Sequence, residues 1–181
     1  MIIFVGVAGS GKSVQGRKLA DRFGLPWLST GEFLRMLVSG ERRKAMLQGE
    51  LLGDQEIIAL VQKIFSVVDS SQEFVLDGFP RTTAQADWLL NQAKHEQLHI
   101  TAVVHMVASE KAVEKRLLGR GRADDTPEVI QHRFKEYQET VIPLLAQFRE
   151  AKIPVLDIEA EGEVEEIHDS IVIGVEPLLR S

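Results

Sequence analysis

The first fourteen residues constrain this chain more than any other stretch. Ile2, Ile3, Phe4 and Val5 form an unbroken apolar run, as a strand buried on both faces requires. Gly6-x-x-x-x-Gly11-Lys12-Ser13 follows at once, which fits the phosphate-binding loop pattern. Glycines at 6, 9 and 11 let the backbone bend and bring its N–H groups close to an anion. A helix starting near Lys12 points its positive end at the same anion. Lys12 adds a mobile cation for the outer phosphates, and Ser13 offers a hydroxyl to a magnesium ion. A ligand-free glycine turn would need neither the lysine nor the hydroxyl.

Strand and helix signals alternate from there to the end. Lys12 to Phe23 reads as a helix with Val14, Leu19, Ala20 and Phe23 on its buried face and Gly24 as its stop. Leu25 to Ser29 is a short second strand. Thr30 caps a helix over 31–38, and 40–48 is a short surface helix. Asp54 caps a helix in which Ile57, Val61, Ile64 and Val68 recur at helical spacing. Phe74-Val75-Leu76 is a third strand, and Thr82 or Thr83 opens the next helix. Thr101 to Val107 is a fourth strand, and Ser109 caps a helix to about Leu118. A polar break covers 119–125. Thr126-Pro127-Glu128 then starts a long helix burying Ile130, Phe134, Tyr137, Val141, Leu144 and Phe148, with a kink at Pro143. Residues 154–158 are the fifth strand, and a last helix runs from about Val164 to near Leu178.

This alternation predicts an α/β fold of three layers, a five-stranded parallel sheet with helices on both faces and right-handed crossovers. Ligands of such sheets lie beyond the carboxyl ends of the strands. The phosphate loop, Thr30, Asp77 to Arg81, Ser109 and Asp157 are therefore expected along one edge. The chain has 181 residues, enough for one good core. A net charge of −6 argues against a general nucleic-acid binder. With no cysteine, disulfides and thiolate zinc sites are excluded. No apolar run reaches the ~18 residues of a membrane span, and no secretory leader is recognisable. A cytoplasmic enzyme or regulator is the expectation.

Two further groups carry chemistry. Asp77 stands at a strand's carboxyl end beside the phosphate loop, where it either holds magnesium through water or caps a turn. Arg81 follows a rigid Phe79-Pro80 step that suits a phosphate clamp. Arg116 and Arg120 share one helix face, with Arg122 and Arg133 beyond them. These arginines either pair with Asp124 and Asp125 as a solvated patch or converge on transferring phosphates.

Together these segments resemble the adenylate kinase family of nucleoside monophosphate kinases, members of the phosphate-loop NTPase fold. The matching stretches are 6–13, 28–35, Gly49-Glu50-Leu51-Leu52-Gly53-Asp54, 74–82 with Gln85, 116–120, 122–125, Arg133 and 161–163. The Asp77-Gly78-Phe79-Pro80-Arg81 run is highly specific. The resemblance implies that Gly9, Ser10, Gly11, Lys12, Ser13 and Val14 bind ATP phosphates. Arg116 would stack on the ATP adenine, the backbone near Glu163 would contact that base, and Arg120 would hold ATP phosphate. Thr30, Arg35, the backbone of Glu50, Leu51 and Leu52, then Gly78, Phe79, Pro80, Arg81 and Gln85 would hold AMP. Arg122 and Arg133 would bridge the two phosphate groups. Lys12, Arg81, Arg120, Arg122 and Arg133 form the implied catalytic set. Mg²⁺ would enter with ATP, held by Ser13 and, through water, by Asp77, with no zinc. Residues 29–58 would be a mobile monophosphate-binding arm within the single domain 1–181, working as a monomer or small homo-oligomer.

Thr30 and Gln85 bear on the acceptor, because a hydroxyl and an amide can read the Watson–Crick edge of adenine. The expected reaction is ATP + AMP ⇌ 2 ADP. The alternatives are a UMP or CMP kinase, and a nucleotide sensor without turnover. Two departures from the family pattern stand out. Ser13-Val14 replaces the usual Gly-Thr after the loop lysine. The mobile lid is reduced to a vestige at 119–126, with only Gly121 between Arg120 and Arg122. Loss of the lid is expected either to raise wasteful ATP hydrolysis or to leave closure to the arm or a neighbouring subunit. None of the five histidines falls in a motif, and Trp27 and Trp88 are expected in the core.

Overall fold

A computed structural model describes residues 1–37, 53–69, 71–95, 98–121 and 125–179. Its element order is β1 (Ile2–Gly6), α1 (Lys12–Phe23), β2 (Trp27–Ser29), α2 (Thr30–Leu37), α3 (Asp54–Val67), β3 (Val75–Asp77), α4 (Thr83–Lys94), β4 (Ala102–Val107) and α5 (Glu110–Arg120). After these come α6 (Pro127–Glu136), a π-helical turn over Tyr137–Val141, α7 (Ile142–Glu150), β5 (Val155–Glu159) and α8 (Val164–Val175), which ends in a 3₁₀ turn, Glu176–Leu178. All strand pairings are parallel, in the order β2-β3-β1-β4-β5. The expected three-layer α/β sheet is thus what forms, and no helix among the described residues is long and apolar enough to cross a membrane.

The N-terminal apolar run becomes the central strand because both of its faces are covered. Side chains alternate across a strand, so Ile3 and Val5 feed one core while Ile2 and Phe4 feed the other. On the first face they meet Ile57, Val61 and Ile64 of α3, Leu89 of α4 and Leu144 and Phe148 of α7. On the second they meet Leu19 and Ala20 of α1, Leu117 of α5 and Ile167, Ile171 and Val175 of α8. The chain leaves β1 toward β2 and β3, then crosses back to β4 and β5 on its other side. The carboxyl end of β1 therefore lies where the winding reverses, the place such sheets reserve for ligands.

Gly6 ends this strand at φ +148°, paired with Met106 of β4. A Cβ there would lie 2.6 Å from the Met106 carbonyl oxygen and 3.1 Å from Ser10 Oγ. Gly6→Ala is expected to cost at least about 3 kcal/mol, since both the dihedral and the space are wrong. Urea unfolding measures it, and a loss under about 1 kcal/mol would mean the loop gives way freely.

Several boundaries differ from expectation for local reasons. Ser29, not Thr30, serves the α2 N-terminus: its Oγ accepts from Glu32 N at 3.4 Å. Thr30 is the first helical residue and donates its hydroxyl to the Asp77 carbonyl at 3.2 Å. Asp54 likewise stands inside α3, whose cap position is Gly53. The α5 helix runs through Gly119 to Arg120 and stops at Gly121, φ +67°, so the polar break is shorter than expected. Pro143 lies within a helix whose backbone stays right-handed from α6 into α7, so its missing N–H falls inside the helix rather than at a start. The helical register is adjusted just upstream, in the π turn. Val14 is 54% exposed rather than core. Trp27 and Trp88 are only partly buried, Trp27 beneath the Arg17 guanidinium and Trp88 against Phe65 and Phe79. The short surface helix expected over 40–48 lies outside the described residues.

Candidate active site

The carboxyl ends of the central strands open into a cleft of about 650 Å³. Its floor is the loop that follows β1. Gly9 and Gly11 hold φ +87° and +99°, and Gly11 is the α1 cap residue. No side chain caps this helix, and its first turn has no acid. Its leading N–H groups are thus left for an acceptor from outside the helix. Lys12 Nζ donates to the Val7 carbonyl at 2.7 Å. Burial, with Arg81, Arg120 and Arg133 close by, lowers the lysine pKa to about 8, although Asp77 pulls the other way. Such an excess of positive charge favours an incoming polyanion.

Asp77 ends β3 and is buried. Its Oδ2 accepts from Ser13 Oγ at 2.5 Å and from Ser29 Oγ at 3.5 Å. A carboxylate beside a hydroxyl is an oxygen donor set, which suits magnesium. That ion commonly takes one or two protein oxygens and completes its shell with phosphate and water. No group of three or more acidic, histidine or cysteine side chains that could hold a metal ion occurs among the described residues.

The arginines face the same space. Arg120 makes a two-pronged bond to Asp125, Nε at 2.8 Å and Nη2 at 2.6 Å, and Arg133 Nη1 lies 3.5 Å from the same carboxylate. Asp125 is almost fully buried. Arg120 and Arg133 thus pair with a buried acid rather than forming a solvated patch, and with Arg116 they line the cleft. Arg81 Nε donates to the Gly78 carbonyl at 2.9 Å. A Cβ at Gly31 would lie 3.3 Å from Arg35 Nη1 and 3.8 Å from Arg81 Nη2, so these two guanidinium groups converge over that glycine. Thr30 and Gln85 form the wall nearby, both buried. Gln85 Oε1 accepts from the Arg81 backbone N–H, and Nε2 donates to Asp54 Oδ1, each at 2.8 Å.

A family model described as adenylate kinase matches residues 4–153. The adenylate kinase of Prochlorococcus marinus is 37% identical over 172 residues, 92% of this chain and 91% of the relative. That of Oenococcus oeni is 35% identical over 178 residues, 94% of each. That of Corynebacterium urealyticum is 32% identical over 181 residues, 97% of this chain and 98% of the relative. The chain belongs to the adenylate kinase family. It is a phosphotransferase of the nucleoside monophosphate kinase type.

The cleft brings together most of the positions that the family resemblance assigns. Gly9, Ser10, Gly11, Lys12, Ser13, Val14, Arg116, Arg120, Thr30, Arg35, Gly78, Pro80, Arg81, Gln85 and Arg133 all line it. Phe79 instead enters the core, edge-on to Trp88 with ring centres 5.9 Å apart. Glu163 is the cap residue of α8, and its backbone N–H donates to Glu166 Oε2 at 3.3 Å; its neighbours Gly162 and Val164 reach the cleft. Glu50, Leu51, Leu52 and Arg122 lie outside the described residues. Ser109 caps α5. Asp157 is within β5 and bonds His105 and Arg149. Ser109 thus stands at the expected edge, beyond the carboxyl end of β4, but neither it nor Asp157 lines the cleft.

Sequence reading passed over Gln15, Glu136, Tyr137 and Thr140, which also line the cleft. Gln15 is buried, donates to the Val164 carbonyl at 2.8 Å and has no partner for Oε1. A glutamine on the inward face of α1 was the available signal. Tyr137, expected in the core, packs against it as well as lining the cleft, and its hydroxyl meets His105 Nε2 at 2.6 Å. Residues 121–126 alone join α5 to α6.

Proposed function

We propose that this chain catalyses ATP + AMP ⇌ 2 ADP, with ATP on the phosphate-loop side and AMP against α2, α3 and the Gly78–Gln85 turn. The observation that carries this reading is the convergence of Lys12, Arg81, Arg120 and Arg133 on one cleft that also holds Asp77 and Ser13. A phosphate oxygen of AMP attacks the terminal phosphorus of ATP. The bond to the bridging oxygen breaks, and ADP remains on each side. The nucleophile is already an anion, so no general base is needed. The chain contributes positioning and charge stabilisation. The uncapped N–H groups of α1 and Lys12 hold the donor phosphates. Arg35 and Arg81 hold the AMP phosphate. Arg120 and Arg133 face the group in flight, a role the family resemblance also gives to Arg122. Ser13 and Asp77, the latter through water, would hold magnesium, which neutralises phosphate charge when bound with ATP. Val14 and Val164, both half exposed, give the ATP base an apolar wall beside Arg116. Residues 29–58 act as the closing arm, and 119–126 as the remnant of a lid.

Coupled turnover with MgATP against AMP, UMP, CMP, dAMP and GMP, with a no-acceptor control, tests this reading. AMP is expected to be preferred strongly. Preference for a pyrimidine would move the acceptor assignment, and absence of turnover with every acceptor would leave a nucleotide-binding protein. The no-acceptor rate measures water access at the shortened lid, and a rate no greater than that of a lidded relative would mean that closure is complete without it.

A further inference from the structure

Gln85 is an amide, and an amide read end-on presents one donor and one acceptor. Which comes first depends on the sense in which it is held. Adenine offers an acceptor at N1 and a donor at its 6-amino group. Hypoxanthine offers the reverse, a donor at N1 and an acceptor at O6. The same glutamine turned over would therefore fit the wrong base equally well.

The structure settles the sense with two partners that cannot exchange roles. Arg81 N–H only donates, and it meets Gln85 Oε1 at 2.8 Å. The Asp54 carboxylate only accepts, and its Oδ1 meets Gln85 Nε2 at 2.8 Å. The same Oδ1 accepts Thr82 Oγ1 at 2.8 Å, and Thr82 Oγ1 accepts Gln85 N at 3.3 Å. Thr82 to Gln85 is thus a capping box in which the glutamine reaches back one residue further than usual, and Asp54 closes the ring from α3. Turning the amide over would set oxygen against carboxylate and N–H against N–H, in a site where Gln85 is only 3% exposed. One N–H and one lone pair of the amide remain for the cleft, ordered for adenine.

We infer that Asp54 is a specificity-determining positioning residue: by fixing the sense of the Gln85 amide, it makes the acceptor site select 6-amino over 6-oxo purine monophosphates. The inference rests on the reading that Gln85 meets the base of AMP. It also places the acceptor-side control of specificity on α3, outside the turn that carries Arg81.

The experiment compares AMP and IMP as acceptors for MgATP in the wild type and in Asp54→Ala. IMP differs from AMP only at the edge in question. The ratio of kcat/KM for AMP over IMP is expected to fall about tenfold in the variant, the worth of one well-made bond to a charged group. The KM for ATP is expected to stay within about twofold of wild type; a generally loosened fold would weaken both acceptors and ATP together. An AMP:IMP ratio within about twofold of wild type would overturn the inference. A wild type that does not distinguish AMP from IMP would overturn the adenine reading and the inference with it, so the two failures are separable. If Asp54→Ala does not fold, Asp54→Leu keeps close to the side-chain volume and leaves Gln85 Nε2 no acceptor at that position. The ratio is then expected to fall in the same direction, and an unchanged ratio would again overturn the inference.

Discussion

Lys12→Met is expected to lower kcat/KM for MgATP by about three orders of magnitude, the scale of losing one preorganised group that meets developing charge, while leaving the folded protein no less stable near neutral pH. The two halves have one cause. In the cleft the ammonium is held by Val7 and faced by Arg81, Arg120 and Arg133. Burial first, and these cations next, press its pKa down from 10.5 to about 8, against the pull of Asp77. Its folded pKa lies below its unfolded value, so the charged form is penalised by folding. The penalty is fully present below about pH 8 and is relieved between about pH 8 and 10.5, where the unfolded chain binds the extra proton and stability rises with pH. Methionine removes the penalty along with the bond to Val7. Urea unfolding near pH 7 and near pH 10 is expected to show the wild type gaining on the variant at the higher pH. For catalysis the sign is opposite. Above about pH 8 the free enzyme loses the charge that ATP needs, so wild-type kcat/KM is expected to fall there. Lys12→Arg, whose charge persists, should lack that limb at whatever level it works. A variant within about tenfold of wild type would remove Lys12 from the phosphate chemistry.

The parts of this site that were legible in the sequence are those where one residue type admits few uses. An apolar run followed by Gly6, Gly11, Lys12 and Ser13 left little but a central strand and an anion cradle. Thr126-Pro127 marked a helix start that forms as read. Other features depend on partners far along the chain. Val14 reads as core because an apolar side chain lining a cleft and one inside a sheet are the same residue type. Asp54 looked like a cap because an acid in a first helical turn has that use locally. Its actual partners, Thr82 and Gln85, lie 28 and 31 residues away. His105 was unreadable in the apolar run of β4; its ring bridges Asp157 and Tyr137 across three elements. The strand order placing β1 between β3 and β4 was likewise not legible, since alternation of strands and helices fixes parallelism without fixing sequence in space.

Asp125→Asn should separate what the arginines contribute by charge from what they contribute by position. The Asp125 carboxylate is about 1% exposed and carries Arg120 on both oxygens, with Arg133 3.5 Å away. Removing one member of a buried pair strands the other, at a cost that reaches about 3–5 kcal/mol when both are fully dry. Arg120 is 32% exposed and Arg133 18%, so water shares part of the burden and about 2–3 kcal/mol is the expected loss of stability without nucleotide. Bound ATP and AMP would bring back negative charge opposite the same guanidinium groups. The rise in melting temperature on adding both nucleotides is thus expected to be larger for the variant than for the wild type. Charge in the cleft increases, so the KM for ATP should not rise. Geometry is lost, so kcat should fall by about 10²-fold, the scale on which small misplacement of a positioned group acts. The opposite pattern, a raised KM with kcat intact, would mean that Asp125 serves binding alone and that Arg120 and Arg133 need no support to meet the phosphoryl group in flight.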